Sequence, residues 1–240
     1  MTRGSRSNEP GTAERPLEVA LFDYRVGNLH SLGKALEHAG ADVLVTHDWP
    51  EALSREALVL PGVGAFAAAL EALPEDRSDI VARINGGMPT LGICLGMQLL
   101  FDSSDEGAGH GLGVVPGHVR RVRAETIPQM GWNSIETADD PVFEGVPDLV
   151  VYYANSYVCD PAESGDAIGW TEYEQDRFVA AVRRGSIVGV QCHPEKSSNA
   201  GRRVIENFVA QARAAVRDGV GASAGSPTDP ATGLVTGDAS

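Results

Sequence analysis

Apolar positions in the first half of the chain come as short runs alternating with stretches of helical spacing. Leu17 to Phe22 is mostly apolar and reads as a strand. Leu29, Leu32, Leu36 and Ala39 then recur at helical intervals, with Asn28 placed to cap the helix and Gly40 to close it. Asp42 to Thr46 and Ala57 to Leu60 read as further strands, and Ala65 to Leu73 as a helix. Ile80 to Ile84 follows, and then an apolar run behind Pro89. This βαβ rhythm predicts a mostly parallel sheet with helices on both faces. From Gly113 to Arg184 the texture changes to alternating, antiparallel strands, among them Leu149 to Tyr153 and Phe178 to Val182, with a turn near Gly185. Arg120, Arg121 and Arg123 in this stretch read as a solvated edge. Asn199 to Arg217 is a closing helix with Val204, Ile205, Phe208 and Val209 on one face. The expected fold class is therefore α/β, one domain over 16–217 with an antiparallel extension. The polar, Gly-, Ser-, Pro- and Thr-rich ends, 1–15 and 218–240, are expected to be disordered tails.

One stretch breaks the pattern in a chemically suggestive way. Leu91-Gly92-Ile93 reads as a buried strand, and Met97 to Phe101 as an apolar helix start, which puts Cys94 at the corner between Gly92 and Gly96. That is the G-x-S-x-G nucleophile elbow with sulfur in place of hydroxyl. Glycines at both second neighbours make room for a sharp turn that thrusts the thiol outward. The helix start beyond favours a thiolate and offers N–H groups to an oxyanion. The plainer alternative is a small core cysteine.

A thiol needs a base, and among six histidines His193 stands out. It follows the strand-like run Ile187 to Gln191 and precedes Pro194-Glu195. With Pro194 holding the chain extended, His193 and Glu195 would point the same way. The carboxylate could then hold one imidazole nitrogen while the other takes the thiol proton, as in a catalytic triad. By itself His-Pro-Glu fits a surface turn equally well.

Composition narrows the class without deciding it. With 42% hydrophobic residues the core is ample, yet no apolar run approaches the ~20 residues of a membrane span. Residues 1–15 lack the apolar middle of a secretory signal. A net charge of −14 argues against a nucleic-acid binder. Three scattered cysteines, Cys94, Cys159 and Cys192, give neither a disulfide framework nor a metal-site spacing, so no metal and no cofactor are expected. A reducing, cytoplasmic setting fits.

Gly92-Ile93-Cys94-Leu95-Gly96-Met97-Gln98 followed by His193-Pro194-Glu195 resembles the class I (triad) glutamine amidotransferases. Asp23-Tyr24-Arg25-Val26-Gly27-Asn28-Leu29, Pro61-Gly62-Val63-Gly64-Ala65-Phe66, Met130-Gly131-Trp132-Asn133 and Lys196-Ser197 make it similar, within that family, to the glutaminase subunits of imidazole glycerol phosphate synthases. The likeness runs from Leu17 to Ala214 in the family's order. It implies a flavodoxin-like fold, hydrolysis of glutamine through a cysteinyl thioester, and Cys94, His193 and Glu195 as the triad. It implies oxyanion contacts from Leu95 and the Gly62-Val63 loop, and glutamine contacts from Gln98, Glu106 and Ser156. The implied partner is a (β/α)8-barrel cyclase subunit, forming a heterodimer that receives the ammonia. Tyr24, Asn28, Asn155 and Lys196 are the implied interface residues.

The chain also departs from the pattern. Gln129 stands where a histidine is usual before Met-Gly-Trp, Asn155 replaces the histidine of Val-His-Ser-Tyr, and Cys192 takes a common aromatic position. Two alternatives stay open at this point. One is the amidotransferase subunit of an anthranilate or aminodeoxychorismate synthase, against which Val63 and Lys196-Ser197 speak. The other is a non-catalytic partner subunit with an inert Cys94.

Overall fold

A computed structural model describes residues 15–25, 29–62, 64, 66–137, 139–146 and 148–219. The first half runs β1 (Leu17–Phe22), α1 (His30–His38), β2 (Ala41–Thr46), α2 (Trp49–Leu53), β3 (Ala57–Leu60), α3 (Phe66–Glu71), α4 (Ser78–Asn85), β4 (Thr90–Ile93) and α5 (Leu95–Leu99). The second half adds β5 (Ser103–Ser104), β6 (Gly107–His110), β7 (Gly117–Arg121), β8 (Gln129–Ser134), β9 (Glu136–Thr137) and β10 (Val150–Asn155). Then come β11 (Tyr157–Pro161), β12 (Ala167–Tyr173), β13 (Asp176–Arg184), β14 (Ile187–Val190) and α6 (Ser198–Arg217).

Five strands pair in parallel in the order β2-β1-β3-β4-β14. This is the flavodoxin-like order, in which ligands bind beyond the carboxyl ends of the strands. β13 continues the sheet antiparallel to β14, and β11, β7, β5 and β6 extend it outward. β3, β4 and β14 are buried at every position, because helices cover both faces and leave no solvent side for polar alternation. The α1 and α6 side packs Leu32, Leu36, Val204, Ile205, Phe208 and Val209 onto one face of the sheet. The opposite face carries Trp49, Ile80, Ile84, Leu95 and Leu99. β8 and β10 form a separate two-stranded ribbon.

Three local expectations need correction. Helix α2, which the hydrophobic pattern did not reveal, exists because Asp48 caps it through the Glu51 N–H and Pro50 fits its first turn. Arg120 is not part of a solvated edge. β7 is paired on both sides, and the Arg120 guanidinium, 11% exposed, bonds Asp176 at 2.6 and 3.0 Å and Asp160 at 2.7 Å. The helix beyond Cys94 is short and closes at Leu99, so Leu100 and Phe101 lie beyond it. The expected Asn28 cap lies outside the described residues, and Leu29 precedes α1 without a side-chain cap. The two tails fall almost wholly outside them as well. Arg15 is described and pairs with Glu56. Among the described residues no helix is long and apolar enough to cross a membrane.

Candidate active site

Sheet register brings the two halves of the site together. β4 and β14 are adjacent and parallel, with Gly92 opposite Gly189 and Ile93 opposite Val190. Their carboxyl ends therefore deliver Cys94 and, three residues past Val190, His193 to the same edge. The Cys94 N–H donates to the Val190 carbonyl at 2.7 Å, pinning the corner to the neighbouring strand.

The corner itself is strained. Cys94 has φ 46° and ψ −105°, a region that L-residues with side chains seldom occupy. The flanking glycines are required by close approach, since neither has a positive φ. A Cβ on Gly96 would lie 2.0 Å from the Leu60 carbonyl oxygen, and one on Gly92 would lie 2.7 Å from that of Gly96. The strain thus sits on Cys94, while its neighbours supply the clearance.

His193 is 3% exposed, and its Nδ1 is 2.8 Å from Glu195 Oε1. That bond places the Nδ1 proton on the carboxylate side and leaves Nε2 for the sulfur. Pro194 does not hold the chain extended as expected; it opens a single 3-10 turn, Pro194–Lys196, which folds Glu195 back beneath the ring. Burial acts to lower the His193 pKa, but its hydrogen bonds to Cys94 and to Glu195 outweigh that and raise it to about 9. At neutral pH the imidazole is therefore protonated and can form an ion pair with a thiolate. Cys192, in the aromatic's usual place, is fully buried and its thiol is pushed up, first by burial and then by Glu195.

Gly62 lies against the reacting groups. A Cβ there would come within 2.8 Å of Cys94 Cβ and 3.1 Å of His193 Cε1, so only glycine lets this loop approach the thiol. Leu95 is the first residue of α5, a position whose N–H has no acceptor within the helix. Val63 lies outside the described residues.

Gln98 is buried one helical turn beyond Cys94, its N–H on the Cys94 carbonyl at 3.0 Å and its Nε2 on the Tyr157 carbonyl at 3.3 Å. Glu106 is half-buried, and burial pushes its carboxyl up against the opposing bond from the Phe66 N–H at 3.4 Å. Ser156 is half-buried between β10 and β11, with its carbonyl taken by the Val122 N–H at 2.9 Å. Tyr24 and Asn155 lie beneath the surface. The Tyr24 ring packs 5.4 Å from Phe22, and burial pushes its phenol up. Asn155 Nδ2 joins Gln98 on the Tyr157 carbonyl, at 3.2 Å. Lys196 is exposed, its Nζ 5.9 Å from the Tyr152 ring centroid. Asn28 lies outside the described residues. The two departures Gln129 and Asn155 are cross-strand partners on the ribbon, both buried, so two amides face each other there.

The glutamine amidotransferase class-I family profile matches residues 20–212. The chain belongs to that family. It is 42% identical over 204 residues to the imidazole glycerol phosphate synthase subunit HisH of Corynebacterium glutamicum, a match covering 80% of this chain and 97% of that one. It is 43% identical over 203 residues to the subunit of the same name from Trichormus variabilis, covering 81% and 96%. In fold it resembles a crystallised glutamine amidotransferase (TM-score 0.64, 18% identity, 81% of this chain and 98% of that one). PurLQS from Thermotoga maritima is alike to the same degree (TM-score 0.62, 18% identity, 82% and 99%).

Two polar residues that the sequence reading left without a role sit inside this amidotransferase site. Ser197 is fully buried; its Oγ donates to the His193 carbonyl at 2.7 Å and accepts from the Tyr152 N–H at 2.8 Å. Gln191, also fully buried, points its Nε2 at Cys94 Sγ from 3.5 Å. The available signal was a polar side chain at each end of the His193 turn, where an apolar strand or a helix start would not demand one.

Proposed function

We propose that this chain is the glutaminase subunit of an imidazole glycerol phosphate synthase, with Cys94 as nucleophile, His193 as acid–base and Glu195 as the group that orients the imidazole. The observation that carries the reading is a cysteine at positive φ beside a buried His193–Glu195 pair, on neighbouring parallel strands. The Cys94 thiolate attacks the side-chain carbonyl carbon of glutamine. The oxyanion develops towards the N–H groups of Leu95 and of the Gly62-Val63 loop, each such donor being worth ~3 kcal/mol in comparable sites. Protonated His193 then gives its proton to the departing nitrogen, so ammonia leaves and a glutamyl thioester remains. Neutral His193 draws a proton from water, the hydroxide equivalent opens the thioester, and glutamate departs with the thiolate restored. Gln98, Glu106 and Ser156 are the groups to hold the glutamine.

The partner is the cyclase subunit, a (β/α)8 barrel that uses the ammonia to form imidazole glycerol phosphate and the aminoimidazole carboxamide ribotide of histidine biosynthesis. The docking face would be the ribbon's exposed side, where Met130 is 67% and Trp132 54% exposed beside Tyr152 and Lys196. Asn155, buried on β10, would support that face from beneath, whereas Tyr24 is buried against Phe22. Residues 16–217 form the catalytic domain in this reading, and a reducing cytoplasm keeps the thiol usable.

Glutamate release tests it directly, measured for the chain alone, with the cognate cyclase, and with the cyclase plus its nucleotide substrate. Weak release alone, stimulated by the liganded cyclase and abolished in Cys94→Ala, is the expected result. Strong release indifferent to the cyclase would overturn the partner, and none in any mixture would overturn the enzyme.

A further inference from the structure

We propose that Gln191 is a second hydrogen-bond donor to the nucleophile, acting together with His193 to hold the Cys94 sulfur as thiolate. The inference rests on the triad reading above and adds to it a residue that no motif of the triad includes.

The placement follows from the sheet. Val190 is the last residue of β14 and faces Ile93 in register, so Gln191 lies alongside Cys94 at the same carboxyl edge. Its backbone N–H is fixed to the Ala180 carbonyl at 2.8 Å, on the β13 side, which leaves its side chain a single well-defined origin. From there Nε2 reaches Sγ at 3.5 Å, an ordinary length for an N–H···S bond. The side chain is fully buried, and its Oε1 meets no donor among the described residues. A buried amide that leaves its acceptor end unpaired is costly. Turned the other way, the amide would set an oxygen lone pair against a thiolate. The orientation found is the one that a negatively charged sulfur selects.

The ionisable groups coupled to that sulfur are His193, with Glu195 behind it, and the thiols of Cys159 and Cys192. Burial pushes both of those thiols up, and they stay neutral through the working pH range. His193 therefore supplies the charge that favours the thiolate, and Gln191 supplies a neutral donor that stays in place after His193 has given its proton to ammonia. At the thioester stage the sulfur becomes a leaving group again. A donor already aimed at it stabilises the departing thiolate.

The experiment is the pH dependence of Cys94 alkylation by iodoacetamide, read by intact mass, in wild type, Gln191→Met and Gln191→Asn. Gln191→Met keeps the volume and removes the donor; Gln191→Asn keeps the amide but draws it back by one methylene. Circular-dichroism melting establishes that each variant is folded, and should Gln191→Met fail that check, Gln191→Asn carries the test. The expected result is an alkylation midpoint about one pH unit higher in both variants. With it comes a roughly tenfold loss of glutaminase kcat at pH 7 and an unchanged KM for glutamine. An unchanged midpoint in a folded variant would overturn the inference. So would a raised KM with the midpoint unmoved, since Gln191 would then line the pocket without serving the sulfur. Failure of the triad reading looks different: wild type itself would hydrolyse no glutamine.

Discussion

In the proposed mechanism His193 carries the proton, and its surroundings fix the pH range in which it can do so. Burial opposes the imidazolium, while the Cys94 and Glu195 bonds more than offset it, so the ring stays protonated to about pH 9. If protonated His193 is the acid for departing ammonia, as proposed, kcat should fall along an alkaline limb near that pH. Glu195→Gln removes one of the raising partners, so the limb should move to lower pH and the rate at pH 7 should drop by roughly 10²-fold. The same shift makes a stability statement of definite sign. The folded-state pKa lies above the ordinary ~6.5, so its contribution is complete below about 6.5 and is lost as pH rises through about 9. Wild-type urea midpoints should therefore decline across that window, and those of Glu195→Gln should decline less. An alkaline limb that stays in place in Glu195→Gln would show that the carboxylate does not govern the imidazole.

Between elements, the strands of the antiparallel extension are held to one another by a buried ion pair as well as by their ladders. Asp176, at the start of β13, receives two bonds from Arg120 of β7 and one from the Arg123 N–H at 2.8 Å. Burial pushes its carboxyl up, but those donors outweigh it and hold the carboxyl below the usual range. Asp176→Ala leaves Arg120 with half-exposed Asp160 as its one carboxylate partner among the described residues and should cost about 3 kcal/mol, read as a lower urea midpoint with unchanged slope. Asp160→Ala should cost under about 1 kcal/mol. The carboxyl's stabilisation is present above about pH 3.9 and is lost as pH falls through its depressed value, so the acid limb should flatten in Asp176→Ala. This pair also shows where sequence reasoning stops. Strands β1 and β3 were readable to the residue, because burial on both faces leaves an apolar run between turn residues, interrupted only by half-buried Glu18 in β1. The elbow was readable because both its glycines and the cysteine fall within five residues, although the clearance that requires Gly96 is toward Leu60 on β3. Arg120 was not, since its partner Asp176 lies 56 residues away and nothing local tells a solvated arginine from a paired one. Gln191 and Ser197 escaped for the same reason: each answers to a group supplied by another element.

Over the whole molecule, the exposed ribbon and the triad are joined by a short chain of bonds. The His193 N–H donates to the Tyr152 carbonyl at 2.8 Å, and the Tyr152 N–H donates to Ser197 Oγ, whose hydroxyl returns to the His193 carbonyl. β10 thus grips the His193 backbone at both ends, while β8 beside it presents Trp132, edge-on to Tyr152 at 6.1 Å. A partner that presses on Trp132 would press through β8 on its cross-strand neighbour Tyr152 of β10, which holds the His193 backbone, and this would give docking a physical route to the chemistry. Trp132→Ala should weaken binding of the cyclase at least tenfold, since a half-exposed tryptophan at the centre of a patch is the usual anchor of an interface. Calorimetric titration measures that loss, and glutamate release gives its consequence: cyclase-stimulated turnover falls steeply while the rate of the chain alone changes by less than about twofold. Val45, 51% exposed on β2 at the far edge of the sheet, supplies the contrast. Val45→Ala removes a comparably exposed apolar side chain with no path to His193, so it should alter neither binding nor stimulation. Equal effects from the two substitutions would place the docking face elsewhere and leave the ribbon as a support for His193 alone.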